Sequence, residues 1–406
     1  MDKENPFFSN QERIPVVVTH GEGAYHNTLK ALESINLEVA RGKRVLLKPN
    51  AGRLGTPGSG ITTDPEVVGA AIDAFRKVGA DVAIGESPIT GIKTMEAFET
   101  TGIAEQARKR DCPLIDMDAR PCVEIDVPDG IVVNKLKFCP EVLEFDYIVS
   151  IPVIKTHMHT DVTIAVKNMK GCLWRRSKVQ LHMLPLIEGN DEKPLNIAIA
   201  DLSSVLVPHL SIIDGTVGME GLGPSAGTPK KMGCIIVSAD AFAADAVACR
   251  LIGTRAEDIP YLRMGAERGY GVIDMDKIDV SPDNWQDWCV EFAKPPKNIT
   301  IEYPNVKVLD NNSCSACQST VLLFLKEHGG KLFDYLPEGE KLNIAIGKGH
   351  TELPEKTLCV GNCTAKFKNS HNFLHGCPPV SSEILKKLIG KTSFNNIEKD
   401  SDNGIS

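Results

Sequence analysis

Residues 44–86 read RVLLKPNAGRLGTPGSGITTDPEVVGAAIDAFRKVGADVAIGE, and this stretch decides the fold. Residues 44–47 are an apolar, β-rich run. Residues 65–78 repeat apolar side chains at helical spacing, and 81–85 form a second β-rich run. Thr63-Asp64-Pro65-Glu66 offers a capping carboxylate, a proline in the first turn and an early acid, and Gly79 is a natural stop. A strand, a helix and a strand in succession imply parallel strands joined by a crossover.

The same alternation extends outward. Strands are expected at 15–19, 147–153, 210–214 and 233–238, and helices at 27–38, 95–110, 196–207 and 241–251. The expected fold is α/β, a mostly parallel sheet flanked by helices, with a smaller cysteine-rich α/β domain at the C-terminus. Residues 1–285 form the first domain, with an inserted hairpin near 122–138. A proline-rich linker spans 286–305, the second domain spans 306–392, and a polar tail at 393–406 is expected to be disordered.

The net charge of −8, with no basic run, excludes nucleic acid as a partner. No apolar stretch approaches the roughly 18 residues that span a bilayer, so no membrane partner is expected. The start, MDKENPFF, has no apolar leader, and a cytoplasmic protein is expected. In that compartment the twelve cysteines are thiols or metal ligands. Cys112, Cys122, Cys139, Cys172, Cys234, Cys249 and Cys289 are scattered and read as small buried hydrophobes.

The other five cysteines cluster in the last hundred residues. Cys314 and Cys317 form a C-x-x-C pair at a helix start. Cys363 follows a glycine turn, and Cys377 stands in Gly-Cys-Pro-Pro. These four are the expected ligands of a [4Fe-4S] cluster, with zinc as the runner-up. Cys359 lies in a strand-like run and reads as a packing residue.

Cationic residues mark several strand ends. Lys48-Pro49-Asn50 opens a loop rich in glycine. The run Lys155-Thr156-His157-Met158-His159-Thr160-Asp161 follows the strongest strand, and if it stays extended its alternate residues share one face. Lys167-Asn168-Met169-Lys170 lies just beyond. Lys48, Asn50, Lys155, Lys167, Asn168 and Lys170 are expected to bind an anionic substrate, because strand C-termini in open parallel sheets are where ligands bind. His157 and His159 are candidate proton-transfer groups. Asp214 and Glu220, in a third glycine-rich loop, are candidate acid–base or cation-binding carboxylates. His157-x-His159-x-Asp161 also starts a metallohydrolase pattern, but Val162 occupies the position of its next histidine.

Taken in order, the blocks at 45–50, 63–68, 85–88, 152–157, 167–171, 214–224 and 239–247 resemble the domain of unknown function 362 family over about residues 14–270. The resemblance implies an iron–sulfur protein that can carry a separate ferredoxin segment. The C-terminal cysteine unit here is arranged differently. The expected function is an iron–sulfur enzyme acting on a small anionic metabolite, with an electron donor such as ferredoxin as partner. An electron carrier or redox sensor and a zinc-stapled structural protein are the alternatives. Cys363 and Cys377 are expected to face the Lys48, Lys155–His159 and Asp214–Glu220 loops across one cleft.

Overall fold

The computed structural model describes residues 5–8, 12–185, 187–189, 192–295, 306–329, 332 and 341–389. The chain divides into two compact units, Met1–Pro295 and Pro296–Ser406.

In the first unit the 44–86 stretch folds as β2 (Arg44–Pro49), the helix Pro65–Lys77 and β3 (Asp81–Glu86), with the strands parallel. The Asp64 side chain accepts the Glu66 backbone N–H at 2.9 Å, and Pro65 occupies the first turn, where no donor is needed. The other strands are β1 (Ile14–His20), β4 (Leu114–Asp116), β5 (Val123–Asp126), β6 (Lys135–Phe138), β7 (Tyr147–Ile151), β8 (Val153–His157), β9 (Asp161–Thr163), β10 (Leu210–Glu220), β11 (Thr228–Ser238) and β12 (Ile278–Ser281). Among the described residues a ten-stranded sheet runs β12-β1-β11-β10-β7-β2-β3-β4, with β8 against β10 and β9 against β8. Pairing is parallel from β10 across to β4, and antiparallel where β11 meets its two neighbours. β5 and β6 form a separate antiparallel hairpin.

Alternate residues feed a core on each face. Leu46, Ile213 and Ile236 enter one, and Val45, Leu47, Ile212, Ile235 and Val237 enter the other. Burial on both faces is why these strands read as continuous apolar runs.

Several elements differ from expectation: the helix expected at 27–38 spans Ala24–Leu32, and the strand expected at 233–238 starts at Thr228. The strand expected at 147–153 breaks at Pro152, which has no N–H for the ladder, and resumes as β8. The helix expected at 95–110 is two, Thr94–Thr100 and Ile103–Lys109, separated by Gly102 at φ 77°. The strand expected to end at 214 continues to Glu220, so the glycine-rich stretch is largely strand, not loop. Its glycines permit close packing: a Cβ on Gly215 would lie 2.6 Å from Cys234 Sγ, and one on Gly218 would lie 2.6 Å from the Phe292 ring.

Past β12, Trp285 and Phe292 are buried in the first unit, and the Val290 and Phe292 N–H groups bond to Leu251 and Ile252 carbonyls. Positions 296–305 of the expected linker and the expected tail lie outside the described residues.

The second unit has four parallel strands in the order β13 (Val306–Asp310), β14 (Leu342–Ile346), β15 (Thr357–Val360) and β16 (Asn372–Leu374). The helices Ser315–His328 and Ser381–Ile389 accompany them, and Val321, Phe324, Ile344 and Ile384 share their core. The chain is therefore α/β throughout, with a mostly parallel main sheet and a smaller C-terminal parallel sheet. No described helix is long and apolar enough to cross a membrane.

Candidate functional site

Lys48, at the end of β2, is 1% exposed and pairs with Glu86, at the end of β3, at 2.9 Å. Its ammonium also donates to the Pro49 carbonyl at 2.8 Å and to Asn168 Oδ1 at 3.2 Å. An ammonium has three protons, so all of them are committed. Glu86 additionally accepts the N–H groups of Ala51 and Ser87, each at 2.9 Å. Asn168 donates to the Lys48 carbonyl and the Ser150 hydroxyl, both at 3.1 Å. Gly171 makes room for the pair, since a Cβ there would sit 2.5 Å from Lys48 Cε. This network holds the segment formed by the short helix Ala165–Asn168 and the turn Met169–Cys172 over the strand ends. Buried Asp245 anchors the start of the segment by accepting the N–H groups of Ala165 (2.7 Å) and Val166 (3.1 Å), and burial pushes its carboxyl up to about 8.

Beside this balanced pair lies an unbalanced group of cations. Lys155 on β8 is 3% exposed and donates to Asn50 Oδ1 (3.2 Å) and the Ile61 carbonyl (2.7 Å). Burial, and then the charge of Arg53, bring its pKa down to about 7. Lys167 donates to Thr163 Oγ1 at 2.9 Å. Burial, followed by the charges of Lys170, Lys155 and Arg53, holds it well below the ordinary lysine range. Lys170 contacts His182 Nε2, and burial with Lys178 and Arg53 brings it to about 7. Among the described residues, the charges that act most on Lys167 and Lys170 are cationic. The one acid acting on Lys155 is Glu86, which is already bonded to Lys48.

Three imidazoles join the lysines. The rings of His157 and His159 are 5.7 Å apart, and those of His159 and His182 are 6.4 Å apart. His157 Nδ1 accepts the His159 N–H at 3.1 Å, so the neutral ring carries its proton on Nε2. Burial, then the charge of Lys167, keeps His157 well below its ordinary pKa. Burial and Lys170 do the same for His182.

The extended run expected at 155–161 does not occur. The chain turns back after His157, and β9 pairs antiparallel with β8, matching Lys155 with Thr163 and His157 with Asp161. Asp161 takes a left-handed φ of 61°, which short polar side chains tolerate, and it faces solvent. Asp214 and Glu220 have structural engagements. Asp214 accepts the Asp64 N–H at 2.7 Å and the Thr216 N–H and hydroxyl, and burial raises it to about 6. Glu220 accepts the Ala293 N–H at 2.8 Å and pairs with Lys230 at 3.4 Å. Sequence reasoning missed Arg53, Lys178 and His182. Arg53 lies inside the glycine-rich loop that was singled out, while Lys178 and His182 belong to no motif.

In the second unit Cys314 caps the helix Ser315–His328, and Cys317 is in its first turn. A hydrogen bond from the Cys317 thiol, helped by backbone N–H groups of the helix start, lowers Cys314 to about 6. Cys317 is pushed up by its bond to Cys314, by burial, and by the charges of Cys314, Cys363 and Cys377. Asn362 and Gly376, the neighbours of Cys363 and Cys377, tie their turns together: Asn362 N–H donates to the Gly376 carbonyl, and Gly376 N–H donates to Asn362 Oδ1, both at 2.9 Å. Gly361, with φ 92°, brings the end of β15 against Cys317 Sγ. Ser313 Oγ, next to Cys314, is buried without a partner among the described residues. Cys359 is fully buried in the middle of β15, outside this group. No set of three or more His, Cys, Asp or Glu among the described residues is arranged to hold a single metal ion. Four thiol donors on adjoining turns, with an orphaned hydroxyl beside them, are a donor set of the kind that thiolate-held metal groups use.

Comparison with known proteins gives distant and nearer likenesses. The structure of lactate racemase apoprotein from Thermoanaerobacterium thermosaccharolyticum is 13% identical, with a TM-score of 0.38, and the match covers 84% of this chain and 70% of that one. A Thermotoga maritima structure is 14% identical with a TM-score of 0.32, covering 52% and 55%. A Synechocystis protein named as thylakoid-associated is 30% identical over 244 residues, which is 60% of this chain and 73% of that protein. Residues 45–250, just over half of the 406, match the family described as domain of unknown function (DUF362). The matched span runs from β2 to the helix Ala241–Leu251 and includes Lys48, Glu86, the lysine–histidine cluster and Asp245, and on that match the chain belongs to the DUF362 family.

Proposed function

We propose that this protein is a cytosolic iron–sulfur enzyme acting on a small anionic metabolite. The observation that carries the reading is the set of buried lysines, Lys155, Lys167 and Lys170, which among the described residues bond to neutral groups and to no carboxylate. Burying unpaired charge is costly, so such groups are retained where an anion arrives to pair with them. In this reading Lys155, Lys167 and Lys170 hold the anion. Lys48, Asn50 and Asn168 position the segment that carries them. His157 donates through Nε2–H, while Lys170, hydrogen-bonded to His182, gives and takes a proton near neutral pH. Asp214 and Glu220 support the surrounding loops.

Cys314, Cys317, Cys363 and Cys377 would hold a [4Fe-4S] cluster, which when bound supplies electron transfer or Lewis acidity. A ferredoxin-like donor would provide the electrons. The cytosolic assignment is supported by the free thiols, several of them buried.

The test is a thermal-shift screen of small anionic metabolites against the full chain and its Lys167→Met variant. Hits that stabilise the wild type and not the variant are expected. Hits that stabilise both equally, or no hits at all, would reject the site.

A further inference from the structure

Lys155 is paired with Thr163 across β8 and β9, Lys167 donates to Thr163 Oγ1 at 2.9 Å, and Lys170, on the turn that continues the helix of Lys167, bonds His182 beside His159, so the three lysines belong to one cluster. The groups facing them are mostly positive or neutral. Lys155 meets Arg53, Lys48, Asn50 and Glu86. Lys167 meets Thr163, and Lys170 meets Lys178 and His182. The one acid in that set already accepts from Lys48. Thr62 Oγ1, next to the Ile61 carbonyl that accepts from Lys155, is a further buried polar atom without a partner among the described residues.

We propose that the ligand of this cluster carries two negative charges, as a phosphate monoester or a short dicarboxylate does. The proposal rests on the anion-site reading above. A monoanion balances one ammonium and leaves its neighbours to repel each other at low dielectric, whereas a dianion balances two. Binding then draws protons onto amines that were partly neutral. Lys155 and Lys170, both near 7 before binding, are the groups that take them up.

The experiment is calorimetric titration of the full chain at pH 7.5 with inorganic phosphate, malonate and acetate. It is run at matched ionic strength in two buffers of different ionisation enthalpy. At least one dianion should bind about tenfold or more tighter than acetate, an increment of about 1.4 kcal/mol, with net proton uptake. Both effects should fall away in Lys167→Met. Lys167→Gln, which can still bond Thr163, serves if the methionine variant fails to fold. Preference for phosphate identifies a phosphate monoester, and preference for malonate a dicarboxylate. Acetate binding as tightly as either dianion would overturn the proposal and leave the anion site standing. Binding by none of the three would overturn both. Dianion binding unchanged in a folded Lys167 variant would show generic salt stabilisation and overturn the proposal.

Discussion

Lys48 and Lys155 both follow apolar strand residues, and both are buried, yet their surroundings differ. Lys48 is bonded to Glu86, whereas Lys155 bonds only neutral acceptors among the described residues and feels Glu86 without bonding to it. The lysines were legible in the sequence as charges ending apolar runs. Their burial was not, because nothing in the residue pattern shows that Asn168 and Gly171 close over Lys48, or that Asn50 and Ile61 close on Lys155. The consequence is a pH signature. Lys155 has a folded pKa of about 7 against an ordinary 10.5, so between those values the unfolded chain binds the extra proton, and stability rises with pH across that window. Below about 7 the full penalty applies. Chemical denaturation in anion-poor buffer should therefore show Lys155→Met gaining most on the wild type below pH 7, with the difference fading towards pH 10. A difference independent of pH would mean that Lys155 is not the group that titrates.

Elements with strong local signals appear where the residues place them. The Asp64–Pro65 cap starts its helix, and Asp240 caps Ala241–Leu251 by accepting the N–H groups of Phe242 and Ala243. Short strands such as β4 and β9 escaped, since three residues carry no readable period and are set by their partners. The turn between β8 and β9 escaped for a related reason: its left-handed residue is an aspartate rather than a glycine. At this scale the Glu86 network is the joint that fixes the 165–172 segment. Glu86→Ala leaves the Lys48 charge and two backbone N–H groups unpaired, and urea unfolding should show a loss of about 3–5 kcal/mol. Gly171→Ala should cost about 1–3 kcal/mol by crowding the same pair. Glu124→Ala, at an exposed pair with Lys135, should cost less than about 1 kcal/mol. Equal effects at Glu86 and Glu124 would contradict the assignment of the joint.

For the whole molecule, strand–helix alternation in 44–86 was enough to read an α/β fold, because parallel strands need a crossover and both faces then fill with apolar residues. The C-terminal cysteines were legible as a set, since their spacing survives without knowledge of the fold, and the structure brings Cys314, Cys317, Cys363 and Cys377 onto neighbouring turns of one small sheet. What they bind depends on chemistry that thiol geometry alone does not select. The most direct measurement is iron, zinc and acid-labile sulfide per chain in anaerobically purified full-length protein, with EPR spectra before and after dithionite. The account predicts brown protein with about four irons and four sulfides, as a [4Fe-4S] cluster requires. The cluster should be lost in Cys363→Ser and largely retained in Cys359→Ser. Colourless protein with stoichiometric zinc and no labile sulfide would contradict it.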